Sequence, residues 1–165
     1  MAEQFPTASE PFANGEDTAP TVGLLSQYVK DLSFENPNAP AIYQNQTQPQ
    51  IDVQFNIGTG QVGEEVHEVI LKIEVRAESG DTVAFIVDLT YSGLFGFRNV
   101  PADQIQPYLL TEGPRLLFPF ARRVVADTIR DGGFPALLLE PIDFGQLYLQ
   151  QQAQAAGSPG DFGTA

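Results

Sequence analysis

A single histidine, His67, is the only imidazole in the 165 residues, and the chain has no cysteine. A Ser–His–Asp or Cys–His site needs that imidazole, yet His67 opens the apolar face of a β-type segment, the place of an ordinary strand residue. Metal centres cluster His, Cys or carboxylates, and one His without Cys is poor material for one. Glu64, Glu65 and Glu68 could pair carboxylates for acid–base work, but they flank a hairpin, where solvated charge is the ordinary outcome. Gly58-Thr59-Gly60 resembles a fragment of a phosphate loop. It lacks the Gly-Lys-Ser/Thr ending and the following helix, so it reads as a turn. The residue types thus favour a binding protein over an enzyme, and no cofactor is expected.

Charge points the same way. There are 21 acidic and 8 basic residues, a formal charge of −13. Such a field repels nucleic acid and anionic membrane and speeds encounter with basic partners. It also confers solubility. Cysteine absence fits a reducing compartment. The N-terminal MAEQFPTASEPF lacks a basic stretch followed by an apolar core, so no signal peptide is expected. A cytoplasmic location follows.

The elements that would position such surfaces are legible as periods. Residues 1–20 and 153–165 are aperiodic and read as disordered arms around a folded part, 21–152. Four segments alternate with period two. Val22 to Glu35 sets Leu24, Tyr28, Leu32 and Phe34 against Gln27, Asp31, Ser33 and Glu35. Ile51 to Ile57 sets Ile51, Val53, Phe55 and Ile57 against Asp52, Gln54 and Asn56. Val66 to Glu78 sets Val69, Leu71, Ile73 and Val75 against Glu68, Lys72, Glu74 and Arg76. Thr82 to about Phe95 sets Val83, Phe85, Val87, Leu89 and Tyr91 against Ala84, Ile86, Asp88 and Thr90.

Short links predict hairpins between strands three and four, at Ser79-Gly80-Asp81, and between strands two and three, over Gly58–Gly63. The Pro-rich stretch Asn36–Pro49 is too long for a hairpin and should cross the sheet. Asp103–Glu112 reads as a short helix that breaks at Gly113-Pro114. A longer one follows from Arg115 to Arg130, with Leu117, Ala121, Val124 and Thr128 on one stripe, and a last helix covers Asp143–Gln152. Strands first and helices second predict an α+β fold: a four-stranded antiparallel sheet, a long crossover after strand one, and C-terminal helices. Were strands one and four neighbours, Asp31, Glu35 and Asp88 would surround the aliphatic Ile86.

Tyr28–Pro40, YVKDLSFENPNAP, closely resembles the first strand and crossover start of the SecB protein-export chaperones. The likeness continues through TVAFIVDLTYSGLF, Thr82–Phe95. It resumes in LLFPFARRVVADTIRDGGFPALLLEPIDF, Leu116–Phe144, which carries the family's L-F-P-[YF]-A-R core and G-x-F-P motif.

The resemblance implies a homotetramer, a dimer of dimers with long helices packed between dimers. It implies binding of unfolded preproteins without nucleotide, and their delivery to the SecA translocation ATPase through that motor's zinc-containing tail. By this likeness Asp31, Glu35 and Asp88, with Ile86, are the motor-docking positions. Ile51, Val53, Phe55, Phe144, Leu147 and Tyr148 line the client groove, and the stripe Leu117, Ala121, Val124 and Thr128 is the expected oligomer interface. The polar Gln150-Gln151-Gln152 departs from relatives that carry apolar residues there. A SecB-like protein dedicated to a restricted partner, such as an antitoxin, is the alternative reading.

Overall fold

The computed structural model describes residues 18–156. Four antiparallel strands form one sheet: β1 (Thr21–Glu35), β2 (Gln50–Gln61), β3 (Val66–Ser79) and β4 (Thr82–Arg98), in spatial order β1-β4-β3-β2. Two helices follow, α1 (Ala102–Asp131) and α2 (Phe144–Ala156). The expected α+β architecture is thus the observed one. The folded part runs past Gln152, because α2 continues to Ala156. The remainder of the two expected arms lies outside the described residues.

The β3–β4 hairpin turns at Gly80, whose φ of +63° suits glycine. The β2–β3 link is shorter than expected. Gly58 and Gly60 pair with Ile70 and Glu68 inside the ladder, and the chain turns at 62–65, where the Val62 and Gly63 N–H groups donate to the Val66 carbonyl. The crossover joins β1 at one edge to β2 at the other. It carries a short 3-10 turn, Ala41–Gln44, and is tied to the sheet end by Asn38, whose Nδ2 donates to the Val83 carbonyl at 2.8 Å.

Alternation places one face of each inner strand under α1. Val69, Leu71, Ile73 and Val75 of β3, with Phe85, Val87, Leu89 and Phe95 of β4, are buried there. β1 departs from simple alternation. The β1–β4 register shifts between Leu24 and Ser26 and again between Val29 and Asp31. Each bulge adds one residue and reverses the faces. Between them Tyr28, opposite Ser92, turns to the outer face, and Gln27, opposite Gly93, turns toward α1. The reading of both is therefore corrected. The second bulge restores the original sense, so Leu32 and Phe34 face α1 while Asp31, Ser33 and Glu35 face outward.

The expected helix break at Gly113-Pro114 does not occur. α1 is continuous over 30 residues with Pro107, Pro114 and Pro119 inside it. An interior proline removes a backbone bond and costs about 3 kcal/mol. Packing offsets this: Leu109, Pro114, Leu117, Val125 and Ile129 are fully buried against the sheet, each large side chain worth about 1.5–3 kcal/mol. The two breaker residues belong to that contact. A Cβ on Gly113 would stand 2.8 Å from Val69 Cγ2, and one on Gly93 of β4 would stand 2.7 Å from Leu117 Cδ2. Small residues on both elements let helix and sheet approach closely.

Candidate functional site

Two surfaces stand out, one on each side of the sheet. On the outer face, Glu35 lies opposite Ile86, Ser33 opposite Asp88 and Asp31 opposite Thr90. Strands β1 and β4 are neighbours, so the condition for the acidic patch is met. Directly opposed residues share a face, and the exposed Asp31, Glu35 and Asp88 share that of the half-buried Ile86, which stands between Glu35 of β1 and Arg76 of β3. Glu74 joins them, being the direct β3 partner of Asp88. The period reading put Glu74 on the polar face of its strand. Only the β3–β4 register shows that it abuts Asp88.

Beside the patch stands a second outer-face group. The Tyr28 phenol donates a short hydrogen bond to Glu68 Oε2. Lys30 Nζ donates to Oε1 at 3.0 Å and to Oε2 at 3.2 Å. Burial pushes the Tyr28 phenol up to about 12, helped by the hydrogen bond to Glu68 and by its charge. For Glu68, burial alone would raise the carboxyl. The bonds from Tyr28 and Lys30 and the ammonium charge outweigh it and hold the group below its ordinary value. Glu68 is therefore an ion-paired structural carboxylate.

On the other side, at the end of the sheet, the crossover roofs a cleft of about 510 Å³. Its roof is Ile42, Tyr43 and Pro49, its floor Ile51 and Phe85, and its wall Phe134–Leu137. The aromatic rings are in contact: Tyr43 and Phe134 centroids are 5.4 Å apart, and Phe134 and Phe85 4.9 Å. The roof is pinned to the end of α1. Tyr43 Oη donates to the Gly132 carbonyl at 2.7 Å, and Asn36 Nδ2 donates to Tyr43 Oη at 2.8 Å.

Of the six residues expected in a client groove, this cleft contains Ile51 alone, which is 41% exposed. Val53, Phe55 and Leu147 are half-buried against the core, and Tyr148 is half-buried on α2. Phe144 is only 3% exposed and packs on Phe118 at 5.9 Å. It anchors α2 to α1 and has almost no surface for a ligand. Sequence reading missed Tyr43, Phe134 and Leu137. The G-x-F-P motif contains Phe134, but only the fold folds that segment back beneath the crossover.

The helix stripe is corrected too. Leu117 and Ala121 are 0% exposed within the single chain, so they have no surface to offer a second copy; Val124 and Thr128 remain half-exposed. Apolar surface lies instead on β1, at Leu24, Leu25, Val29 and Leu32, and at Phe120 of α1.

His67 is half-buried and sits edge-on to Phe97, with ring centroids 5.5 Å apart. Among the described residues, no group of three His, Cys, Asp or Glu side chains could hold a metal ion. No described helix is long and apolar enough to cross a membrane.

A family model described as "Preprotein translocase subunit SecB" matches residues 15–155, nearly the whole chain. The chain belongs to the SecB family. A protein-export protein SecB of Rhizorhabdus wittichii is 65% identical over 147 residues, covering 89% of each chain. One of Sphingopyxis alaskensis is 64% identical over 144 residues, covering 87% of this chain and 84% of its own. One of Rhodopseudomonas palustris is 51% identical over 147 residues, covering 87% and 94%. Among solved structures, a SecB-like chaperone of Mycobacterium tuberculosis, in complex with a ChAD peptide from the HigA1 antitoxin, superposes with a TM-score of 0.62. It is 18% identical and covers 73% of this chain and 90% of its own, a likeness of fold.

Proposed function

We propose that this SecB-family chain is a cytoplasmic, nucleotide-independent export chaperone. It binds unfolded preproteins on the crossover side and hands them to the SecA ATPase from the outer face. The observation that carries the reading is the separation of the two surfaces: an apolar, aromatic cleft at the crossover, and an acidic patch around Ile86 on the face turned away from α1.

The chemistry suits each task. An unfolded client offers apolar side chains and unpaired backbone groups. The cleft can bury the former, and the edge strands β1 and β2 can pair the latter. Both contacts tolerate many sequences. The patch suits a small basic module with an apolar centre, such as the zinc-containing SecA tail. Release then needs competition by the motor rather than hydrolysis. The assembly is a homotetramer, a dimer of dimers, with the exposed β1 side chains and Phe120 covered between copies.

A SecB-like chaperone dedicated to one antitoxin is the second reading, favoured by the peptide-bound fold neighbour. The 51–65% identity to protein-export relatives supports general export instead. Fluorescence titration decides it. The chain should bind several unrelated denatured preproteins without nucleotide, and should also bind the isolated SecA tail. Tight binding of a single client with no affinity for the tail would overturn the export reading.

A further inference from the structure

Glu68 is a buried charge on the outer face, 8% accessible. Its partners come from a different strand, two positions across the sheet. Tyr28 and Lys30 lie on β1, Glu68 lies on β3, and β4 runs between them. The three side chains therefore bridge over β4 and tie the edge strand to the second inner one.

The location of this bridge is specific. Lys30 is the residue the β1–β4 register skips, between the Val29–Tyr91 and Asp31–Thr90 pairs. It is the bulge. Up to Val29 the alternation places Tyr28 outward, and a regular continuation would send Lys30, Leu32 and Phe34 outward and Asp31 and Glu35 toward α1. The bulge reverses that sense. It puts Asp31 and Glu35 on the face of Ile86 and Asp88, and it sends Phe34 inward, where its ring stacks on Phe85 at 6.3 Å. Packing of Phe34 against the core demands that a reversal occur. The bridge fixes where, because the bulged Lys30 and the preceding outward residue, Tyr28, both end on one carboxylate.

We propose that the Tyr28–Glu68–Lys30 bridge is a positioning device for the motor-docking face: it holds the β1 bulge at Lys30 and so keeps Asp31 and Glu35 beside Ile86 and Asp88. The inference rests on the outer patch being the docking site. The three residues act through the backbone of β1 rather than by touching the partner.

The sign of one substitution separates this role from plain electrostatics. Lys30→Met removes a cation beside exposed acids. By charge alone, the patch becomes more negative and a basic tail binds more tightly. If Lys30 holds the bulge, binding weakens instead, on the order of fivefold, the equivalent of about one exposed charge pair displaced. Calorimetry of the full chain against the isolated SecA tail measures this. Lys30→Arg, which keeps the bridge, should bind the tail like wild type. In Lys30→Met, the cross-strand nuclear Overhauser contacts between Asp31 and Thr90 and between Ser33 and Asp88 should weaken, while affinity for a denatured client stays unchanged. Unchanged or tighter tail binding by Lys30→Met overturns the inference. Asp31→Lys/Asp88→Lys, measured alongside, keeps the two failures apart. If that variant still binds the tail, the docking site itself is misplaced and the positioning role falls with it. If it loses the tail while Lys30→Met does not, only the positioning role falls.

Discussion

Tyr28 and Glu68 are forty residues apart in sequence and on non-adjacent strands, yet the phenol of one donates directly to the carboxylate of the other across β4. The contact links ionisation to folding. The Tyr28 pKa rises from 10.0 to about 12 in the folded chain. A raised folded pKa stabilises the fold fully below the unfolded value, and that stability is lost as pH rises through the folded one. The window is therefore pH 10 to about 12.

Thermal melts across that window should show a falling midpoint, with a loss of about 3 kcal/mol at most for this group. In Glu68→Gln the fall should be shallower, because the carboxylate no longer opposes phenolate formation. Burial also raises the Tyr91 and Tyr108 phenols, so ultraviolet titration of tyrosinate should show several late-titrating phenols in wild type, of which the Tyr28 phenol should move to lower pH in the variant. At the acid end the sign reverses. Glu68 sits below its ordinary value of 4.5, so its contribution is present above that pH and is lost as pH falls through the lowered pKa.

Gly113→Ala tests why α1 survives its breakers. Helix propensity alone favours alanine by about 1 kcal/mol. The added Cβ would meet Val69 Cγ2 at 2.8 Å, and overpacking of this kind typically costs about 1–3 kcal/mol. Urea denaturation should show a net loss of stability. A gain would mean that the helix–sheet contact is loose enough to absorb a methyl group.

The proposed tetramer would cover the exposed side chains of β1. Leu24, Val29 and Leu32 are each more than a third exposed on the α1 side of β1 in the single chain, an apolar stripe of the kind that marks an interface. Light scattering at micromolar concentration should give the mass of four chains. Val29→Lys together with Leu32→Lys should shift it toward smaller species without unfolding the sheet, and an unchanged mass would move the interface elsewhere.

Much of this architecture is legible in the sequence, because period-two runs and tight glycine turns are local signals. Asp31 and Glu35 fall on one face of β1 by spacing alone, and Ile86 and Asp88 do so on β4. The bulges at Leu25 and Lys30 were not legible, because neither carries a glycine or proline. Their two reversals cancel, so only the residues between them, such as Tyr28, were assigned to the wrong face. Local propensity opposes a continuous helix at Gly113-Pro114. Burial of Pro114 and the close approach of Gly113 to Val69 override it, and burial is not local. The family likeness places Phe144 in a groove, but its ring fills the α1–α2 contact. Tyr43 and Phe134 meet across 91 residues, and only the fold brings them together.

The cleft is tested by Ile51→Ser, Phe134→Ser and Leu137→Ser in one chain. Each truncation removes at most about 1.5–3 kcal/mol of burial with a client, so affinity for a denatured protein should fall by an order of magnitude or more, with circular dichroism unchanged. Unchanged affinity would place client binding outside the crossover cleft.

The central claim is that client binding and motor docking occupy separate faces. The most direct measurement is calorimetry of wild type and of Asp31→Lys/Asp88→Lys against the isolated SecA tail and against a denatured preprotein. Each exposed charge pair contributes about 0.2–1 kcal/mol and is screened over about 8 Å at physiological salt. Single Asp→Asn changes should therefore weaken tail binding modestly, and added salt should weaken it steeply. The double reversal should abolish tail binding while client affinity persists. Loss of both activities together, or of neither, would contradict the account.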